Sequence, residues 1–231
     1  MDFQKELEGI PTGNICDCMP EKRAAMDSGI KPLDRNMRVV GTALTVACAA
    51  GDNLTIHKAV LEAKPGDVLV VNCGGFVGGG VFGELLATAC AGRGIVGVVV
   101  DGSTRDTNDL IEMNFPTFSR GICPDGTGKG TCGAIGAPVP CGGKMVHNGD
   151  LIVGDCDGVV VVPAEMAEEV VQKAKEKKAF EDDAKQKLEA GATPAELSPP
   201  PPFLKKTPSK KEKPPPISAG LFDCSWRFQS A

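Results

Sequence analysis

The sequence predicts an α/β domain built on a mixed sheet, and three observations support this fold class. Hydrophobic residues make up 42% of the 231 residues and aromatic residues only 4%. The core must therefore consist of Val, Ile, Leu and Ala, a composition that favours buried strands under helices. In the middle of the chain, strand-length apolar runs alternate with segments of helical pattern. The 29 glycines indicate many tight turns or close backbone approaches.

The first regular elements follow a short N-terminal region of mixed helical signals and turns. Val39–Ala50 has the pattern of a strand rich in small residues. After a turn, Asn53 is predicted to cap a helix over Leu54–Ala63. A second turn then leads into a buried strand at Val68–Asn72.

The next elements repeat this alternation of strand and helix. The segment Cys73–Gly80 has the composition of a glycine-rich loop, and a helix is predicted from about Phe82 to Ala91. A buried strand at Ile95–Val100, a short helix at about Asp106–Met113 and a strand at Pro116–Ser119 follow.

The later part of the chain has a different pattern. Short apolar stretches separated by glycine turns predict β-hairpins over residues 133–163, and Ala164–Ala190 has the pattern of a charged helix. From Thr193 onward a Pro/Lys-rich tail is expected to lack regular structure. We therefore divide the chain into a domain at residues 1–180 and a helix end with low-complexity tail at 181–231.

Composition and charge exclude several classes of protein. The net charge is −5, and a protein of acidic overall charge is a poor general binder of nucleic acid. No run approaches the roughly 18 apolar residues of a membrane span. The ten cysteines form no C-x-x-C pair, and the N-terminus lacks the pattern of a secretory signal. A reduced, cytoplasmic protein is expected.

A candidate anion site lies at Gly83, Glu84, Leu85 and Leu86. A glycine-rich segment that opens a helix leaves backbone N–H groups without partners, and the helix dipole favours a carboxylate or phosphate there. The alternative interpretation is a flexible loop or a tight turn.

Arg105 and Asp106 form a second candidate group, directly after a buried strand. If this strand and the one before the glycines are parallel neighbours, both groups lie at the same edge of the sheet. Arg105 could bind a carboxylate through its guanidinium, and Asp106 could ligate Mg²⁺ or another hard cation. Alternatively, Asp106 is the N-cap of the following helix, with Asp109 in its first turn, and Arg105 is a solvated surface residue.

The two histidines, His57 and His147, do not indicate a zinc site because they are far apart and no cysteine pair accompanies them. His57 lies within a predicted helix, and we interpret it as structural. Cys73 precedes the glycine-rich segment and is interpreted as a core residue rather than a reactive one.

The spacing of these groups resembles the site of the RraA-like family, which includes 4-hydroxy-4-methyl-2-oxoglutarate aldolases and the regulators of ribonuclease E activity. The resemblance lies first in Gly83–Leu86 followed, after 18 intervening residues, by Arg105-Asp106-x-x-Asp109. It covers about residues 5–180 and extends to further segments: Gly51–Asn53, Pro65–Val71, Pro116–Gly121, Gly149–Asp150 and Asp157–Pro163.

The resemblance implies a swivelling β/β/α-type domain that assembles as a homotrimer or hexamer, with its site near subunit contacts. It implies class II aldolase chemistry on a small 2-oxo acid, with pyruvate as product and Mg²⁺ or Mn²⁺ as cofactor. Asp106 would bind the metal directly, and Glu84 and Asp109 would act through water. The substrate carboxylate would lie on Arg105 and the N–H groups of Gly83–Leu86. Oxaloacetate decarboxylation would use the same site.

The family also contains non-catalytic regulators, so binding of a ribonuclease or an RNA helicase is the alternative function. The Pro/Lys-rich tail could contribute to such binding or touch RNA, although a solvated extension is the simpler interpretation.

Overall fold

The structure, a computed structural model, describes residues 1–20 and 24–197. Its contacts separate a compact unit, Met1–Asp183, from a second unit that begins at Ala184. The predicted Pro/Lys-rich tail lies almost entirely outside the described residues, and the domain boundary at residue 180 stays a prediction.

The described residues form ten strands and seven α-helices. The strands are β1 (Lys31–Pro32), β2 (Val39–Ala47), β3 (Asp67–Phe82), β4 (Gly97–Thr104), β5 (Thr117–Ile122), β6 (Ala134–Ile135), β7 (Val139–Cys141), β8 (Lys144–Val146), β9 (Leu151–Asp155) and β10 (Gly158–Val162). The helices are α1 (Phe3–Glu6), α2 (Thr12–Cys18), α3 (Leu54–Glu62), α4 (Glu84–Ala91), α5 (Thr107–Glu112), α6 (Ala167–Glu189) and α7 (Pro194–Leu197).

Eight of these strands form one mixed sheet in the order β1-β5-β4-β3-β2-β9-β10, with β6 paired to β2. Strands β2 to β5 are parallel neighbours, whereas β1, β6, β9 and β10 pair antiparallel. The predicted α/β class with a mixed sheet and a C-terminal helix is confirmed. The predicted hairpins are also present, as β7–β8 and β9–β10.

Side chains alternate across the sheet and build two apolar layers. Leu69 and Val71 of β3 pack in a cluster with helices α3 and α4, whereas Val68 and Val70 pack with the β7–β8 hairpin. The central strand β4 is buried along its whole length because helices cover one face and the hairpin the other. A third cluster packs α2 and the start of α6 against β9 and β10.

The prediction of a glycine-rich loop at Cys73–Gly80 is wrong, because this segment belongs to β3. In the pairing with β4, residues Asn72 to Phe82 lie opposite only Asp101 to Thr104, and the extra residues form bulges. Gly74 and Gly75, with φ of 65° and 74°, provide the left-handed backbone for the first bulge. Helix α4 consequently starts at Glu84 and not at Phe82.

The start of helix α3 also differs from the prediction. Asn53 is at the cap position, but its side chain makes no capping bond and donates through Nδ2 to the carbonyl of Val81, at 3.0 Å. Asp52 caps the helix instead, because its Oδ1 accepts from the N–H of Leu54, at 2.9 Å. None of the helices in the described part of the chain is long and apolar enough to span a membrane.

Candidate active site

The two groups of residues singled out from the sequence meet at one edge of the sheet. Phe82 and Thr104 are partners in the parallel register of β3 and β4, so Gly83 and Arg105 leave the sheet side by side. The N–H of Arg105 donates to the carbonyl of Phe82, at 2.9 Å, and fixes this arrangement. The condition that these strands be parallel neighbours is therefore met.

Gly83 and Asp106 are in close contact. Asp106 has a left-handed backbone, with φ of 55° and ψ of 44°, which turns its carboxylate toward the start of α4. Its Oδ2 accepts from the N–H of Glu84, at 3.2 Å. A Cβ atom on Gly83 would lie 2.3 Å from Oδ2, so only glycine allows this approach. Asp106 holds the N-cap position of α5, but its side chain makes no cap bond. The alternative interpretation of Asp106 as an ordinary helix cap therefore does not describe its side chain.

The start of α4 offers donors to an anion. The N–H groups of Leu85 and Leu86 lie in the first turn and have no carbonyl partner within the helix. The guanidinium of Arg105 lies beside them with 42% of its side chain exposed, and its Nε is 3.5 Å from Oδ2 of Asp106. A carboxylate could therefore contact the helix start and Arg105 together, as charge-assisted hydrogen bonding favours.

These groups line a cavity of about 370 Å³. The structure brings to its wall every site residue expected from the sequence, namely Gly83, Glu84, Leu85, Leu86, Arg105, Asp106 and Asp109. It adds residues that the sequence did not single out for the site: Asn53, His57, Gly80, Val81, Gly126, Thr127 and Lys129.

Glu84 and Asp109 place two further exposed carboxylates on the cavity wall beside Asp106. Carboxylate oxygens are the donors that Mg²⁺ and Mn²⁺ prefer. In the described residues, three donor atoms lie within 4.8 Å of one another only at Asp155, Cys156 and Asp157, far along the chain in the β9–β10 turn. The donor set of the cavity therefore fits one direct carboxylate ligand with water in the remaining positions, since Mg²⁺ usually keeps several waters.

A further part of the cavity wall is the connection between β5 and β6, residues 123–133, which we call the 123–133 loop. Asp52 holds it: Oδ2 accepts from the N–H groups of Gly130 and Thr131, at 2.6 and 2.9 Å. The bond from the N–H of Leu54, together with these two, keeps the pKa of Asp52 below its usual value. Thr127 and Lys129 of the loop line the cavity.

His57, interpreted from the sequence as structural, is exposed on α3 and lines the cavity. Partial burial lowers the pKa of His57, and the nearby Lys129 ammonium lowers it further. The sequence signal for this wall was the run Gly126-Thr127-Gly128-Lys129-Gly130, in which a single cation stands among glycines.

A larger cavity, of about 680 Å³, lies at the other end of the parallel strands and includes Arg38, Phe115 and Pro116 in its wall. The Arg38 guanidinium already donates to the carbonyls of Leu7 and Ile10, at 2.7 and 2.6 Å. The smaller cavity combines cations, carboxylates and helix N–H groups, and it lies at the carboxyl ends of the strands, where ligands bind in open α/β sheets.

Known proteins are similar to this chain in fold and in sequence. A protein of Halalkalibacterium halodurans named "Putative 4-hydroxy-4-methyl-2-oxoglutarate aldolase" is 42% identical over 187 residues, 81% of this chain and 88% of that protein. The crystal structure of an uncharacterized protein from Pseudomonas syringae matches with a TM-score of 0.77 and 27% identity, over 84% of this chain and 92% of that one. Streptomyces coelicolor RraAS2, described as an unusual member of the RNase ES inhibitor RraA protein family, matches with a TM-score of 0.72 and 29% identity, over 79% of this chain and 96% of that one.

The family model described as "RraA-like: Aldolase/RraA" matches residues 12–161, which include every residue of the cavity wall. With this match and the 42% identical relative, the chain belongs to the RraA-like family.

Proposed function

We propose that this protein is a divalent-metal-dependent class II aldolase that cleaves 4-hydroxy-4-methyl-2-oxoglutarate-type 2-oxo acids to pyruvate, with oxaloacetate decarboxylase activity at the same site. The observation that carries the proposal is the contact between Gly83 and Asp106. It holds a carboxylate beside the first turn of α4, so that a cation ligand and an anion site share one cavity. The aldolase name of the Halalkalibacterium relative supports the same activity.

In this mechanism the carboxylate of the 2-oxo acid lies on the N–H groups of Leu85 and Leu86 and on the guanidinium of Arg105. Asp106 would hold Mg²⁺ or Mn²⁺ directly, and Glu84 and Asp109 would act through water. When bound, the metal supplies a Lewis acid that stabilises negative charge on the 2-oxo oxygen as the carbon–carbon bond breaks. Arg105 faces the same developing charge and stabilises it further.

Lys129 extends the proposal to substrates with two carboxylates. It lines the same cavity as the helix start, and no ion pair among the described residues occupies it. An ammonium at this place complements the distal carboxylate of oxaloacetate or of a 4-carboxylated 2-oxo acid. We further propose a homotrimer or hexamer in the cytoplasm, with an acidic group from a neighbouring subunit completing the site.

The test is pyruvate release from oxaloacetate and 4-hydroxy-4-methyl-2-oxoglutarate, measured with and without Mg²⁺ or Mn²⁺. Chelation should abolish turnover, and restored metal should return it. Asp106→Asn keeps the shape of the side chain but removes the charge, and we expect a loss of roughly 1000-fold or more in kcat/KM, since the metal supplies several kcal/mol. Arg105→Ala should cause a loss of similar size.

Glu112→Gln is the matched control, because Glu112 is an exposed carboxylate on the same helix as Asp109 outside the cavity wall. It should leave the rate unchanged. Full activity of the Asp106 or Arg105 variant, or turnover indifferent to metal, would contradict the mechanism.

The description of the Streptomyces structure as an RNase inhibitor favours one second candidate, a regulator that binds a ribonuclease or an RNA helicase. A pull-down that loses its ribonuclease or helicase partner on deletion of residues 193–231 would support this candidate. Rapid, metal-dependent turnover without a stable partner would count against it.

A further inference from the structure

Two cysteines lie side by side beneath the cavity wall. The parallel register of β2 and β3 ends with Ala47 opposite Asn72, and the next residues along the two strands are Cys48 and Cys73. The N–H of Cys48 donates to the carbonyl of Asn72, at 2.9 Å, which continues the ladder to this point. Both side chains pack in the apolar cluster beneath α3 and α4, so they lie on the same face of the sheet.

The surroundings of the two sulfurs differ. Cys48 packs against the cluster that contains Ile56, in the first turn of α3, and a helix N-terminus stabilises a thiolate. Cys73 is only 1% exposed, whereas Cys48 is half-buried and therefore within reach of a small reagent.

The hydrogen bond from Cys73 lowers the pKa of Cys48 below its usual value, and the bonds from Thr55 and Ile56 lower it further against the opposing effects of burial and of Asp52. The same bond raises the pKa of Cys73, and burial adds to that rise. Cys48 therefore loses its proton more easily than Cys73. A thiol–disulfide exchange pair requires this difference between its two thiols.

We propose that Cys48 and Cys73 form a reversible dithiol–disulfide pair, in which Cys48 reacts first with a small-molecule disulfide and Cys73 completes the intramolecular bond. In the first step the Cys48 thiolate attacks one sulfur of glutathione disulfide, forms a mixed disulfide and releases a glutathione thiolate. That thiolate takes the proton of Cys73. The Cys73 sulfur then attacks the Cys48 sulfur, and the second glutathione thiolate leaves and takes a proton from water. The protein loses two electrons, and glutathione disulfide is reduced to two glutathione molecules.

The pair lies close in the chain to the residues that hold the 123–133 loop. Thr55, in the first turn of α3, accepts at Oγ1 from the N–H of Gly133, at 2.8 Å, where the loop ends. Four residues after Cys48, Asp52 holds the same loop at Gly130 and Thr131.

The experiment uses the full chain, reduced and then exposed to glutathione disulfide, with samples quenched by acid over time and mapped by tryptic mass spectrometry. Cleavage after Arg38, Lys58 and Arg93 places Cys48 in peptide 39–58 and Cys73 in peptide 59–93. We expect a glutathione adduct on peptide 39–58 that converts to a disulfide between the two peptides, with a loss of two hydrogen atoms. Because peptide 59–93 also contains Cys90, the mapping is repeated in Cys90→Ser, where the link should persist.

Variants separate the two roles. Cys73→Ser should trap the glutathione adduct on Cys48, whereas Cys48→Ser should leave Cys73 unmodified. If Cys73→Ser does not fold, Cys73→Ala or the order of species in the unmodified chain decides the same question. The proposal is overturned if the link between the peptides never forms, or if Cys48 takes up glutathione no faster than the exposed Cys156.

Discussion

Two glycine-rich segments border the cavity, and they work in opposite ways. The second half of β3 and the residue that follows it, Gly74–Gly83, use glycine at positions 80 and 83 to bring the backbone close to other atoms. A Cβ on Gly80 would lie 2.7 Å from Cβ of Arg105, as the one on Gly83 would crowd Asp106. In the 123–133 loop, by contrast, Gly126, Gly128 and Gly130 have no atom nearer than 3.3 Å to an added Cβ, and they flank the two side chains that line the cavity, Thr127 and Lys129. One wall is therefore set by main-chain contacts and the other by side chains on a tethered loop.

Among the changes that test this comparison of the two walls, the largest effect should come from adding a methyl group to the first wall. In Gly83→Ala the new Cβ displaces the Asp106 carboxylate and with it the bond to the Glu84 N–H. We expect kcat/KM to fall by roughly 100-fold or more, the size of effect seen when one positioned donor is removed from an active site. The matched control is Gly13→Ala, because a Cβ at Gly13 meets no atom within 4 Å. Equal activity of both variants would refute the contrast between the walls.

On the second wall, Lys129→Met should change specificity more than the rate. The variant keeps the stem of the side chain but loses the charge that we assign to a distal carboxylate. We expect KM for oxaloacetate to rise about tenfold, which corresponds to one charge-assisted contact of about 1.4 kcal/mol. Deuterium exchange at the methyl group of pyruvate, which has no second carboxylate, should change little. Lys64→Met is the control, and an equal loss for both substrates would contradict the assignment.

The tether of the loop can be tested separately from its side chains. Asp52→Asn leaves one oxygen to accept hydrogen bonds, so either the Leu54 bond or the bonds to Gly130 and Thr131 are lost. We expect a several-fold rise in KM and faster tryptic cleavage after Lys129. Asp67→Asn removes a similar carboxylate–backbone bond, to the N–H of Lys64, and should affect neither readout. Unchanged cleavage in Asp52→Asn would show that the tether does not restrain the loop.

The smallest effect is expected at His57. The pKa of His57 lies below the usual value of 6.5, because of partial burial and, in addition, the charge of Lys129. His57 is therefore neutral at pH 8 and gains a proton only as the pH falls below 6.5. His57→Gln should change activity less than twofold at pH 8. Below pH 6.5 the unmodified protein should gain affinity for dicarboxylates relative to the variant, because the added cation faces the same ligand as Lys129. Parallel pH profiles of the two proteins would exclude this role.

Part of this organisation could be predicted from the sequence. Strands β3 to β5 and helices α3 to α5 were predictable because apolar runs and turns mark them locally. The convergence of Gly83–Leu86 with Arg105 and Asp106 was predictable because parallel neighbours end at one edge of a sheet. The bulged half of β3 was not, since glycine composition does not distinguish a loop from a strand interrupted by bulges.

The wall formed by the 123–133 loop could not be predicted from the sequence, for another reason. Asp52 holds the 123–133 loop across 78 residues of chain, and no local pattern reports a carboxylate that binds the backbone so far away. Likewise, Asn53 and Asp52 are both good cap residues, and the choice between them depends on the carbonyl of Val81, which only the folded chain brings near.

The Asp52 tether has a consequence for how this scaffold accepts change. Its carboxylate binds only main-chain N–H groups of the loop, which every residue except proline provides. Positions 127 and 129 are therefore free to exchange side chains while the anchor and the fold stay as they are. Related proteins could acquire new ligand preferences by one or two substitutions there, and a designer who wishes to change what the pocket binds should randomise these positions first.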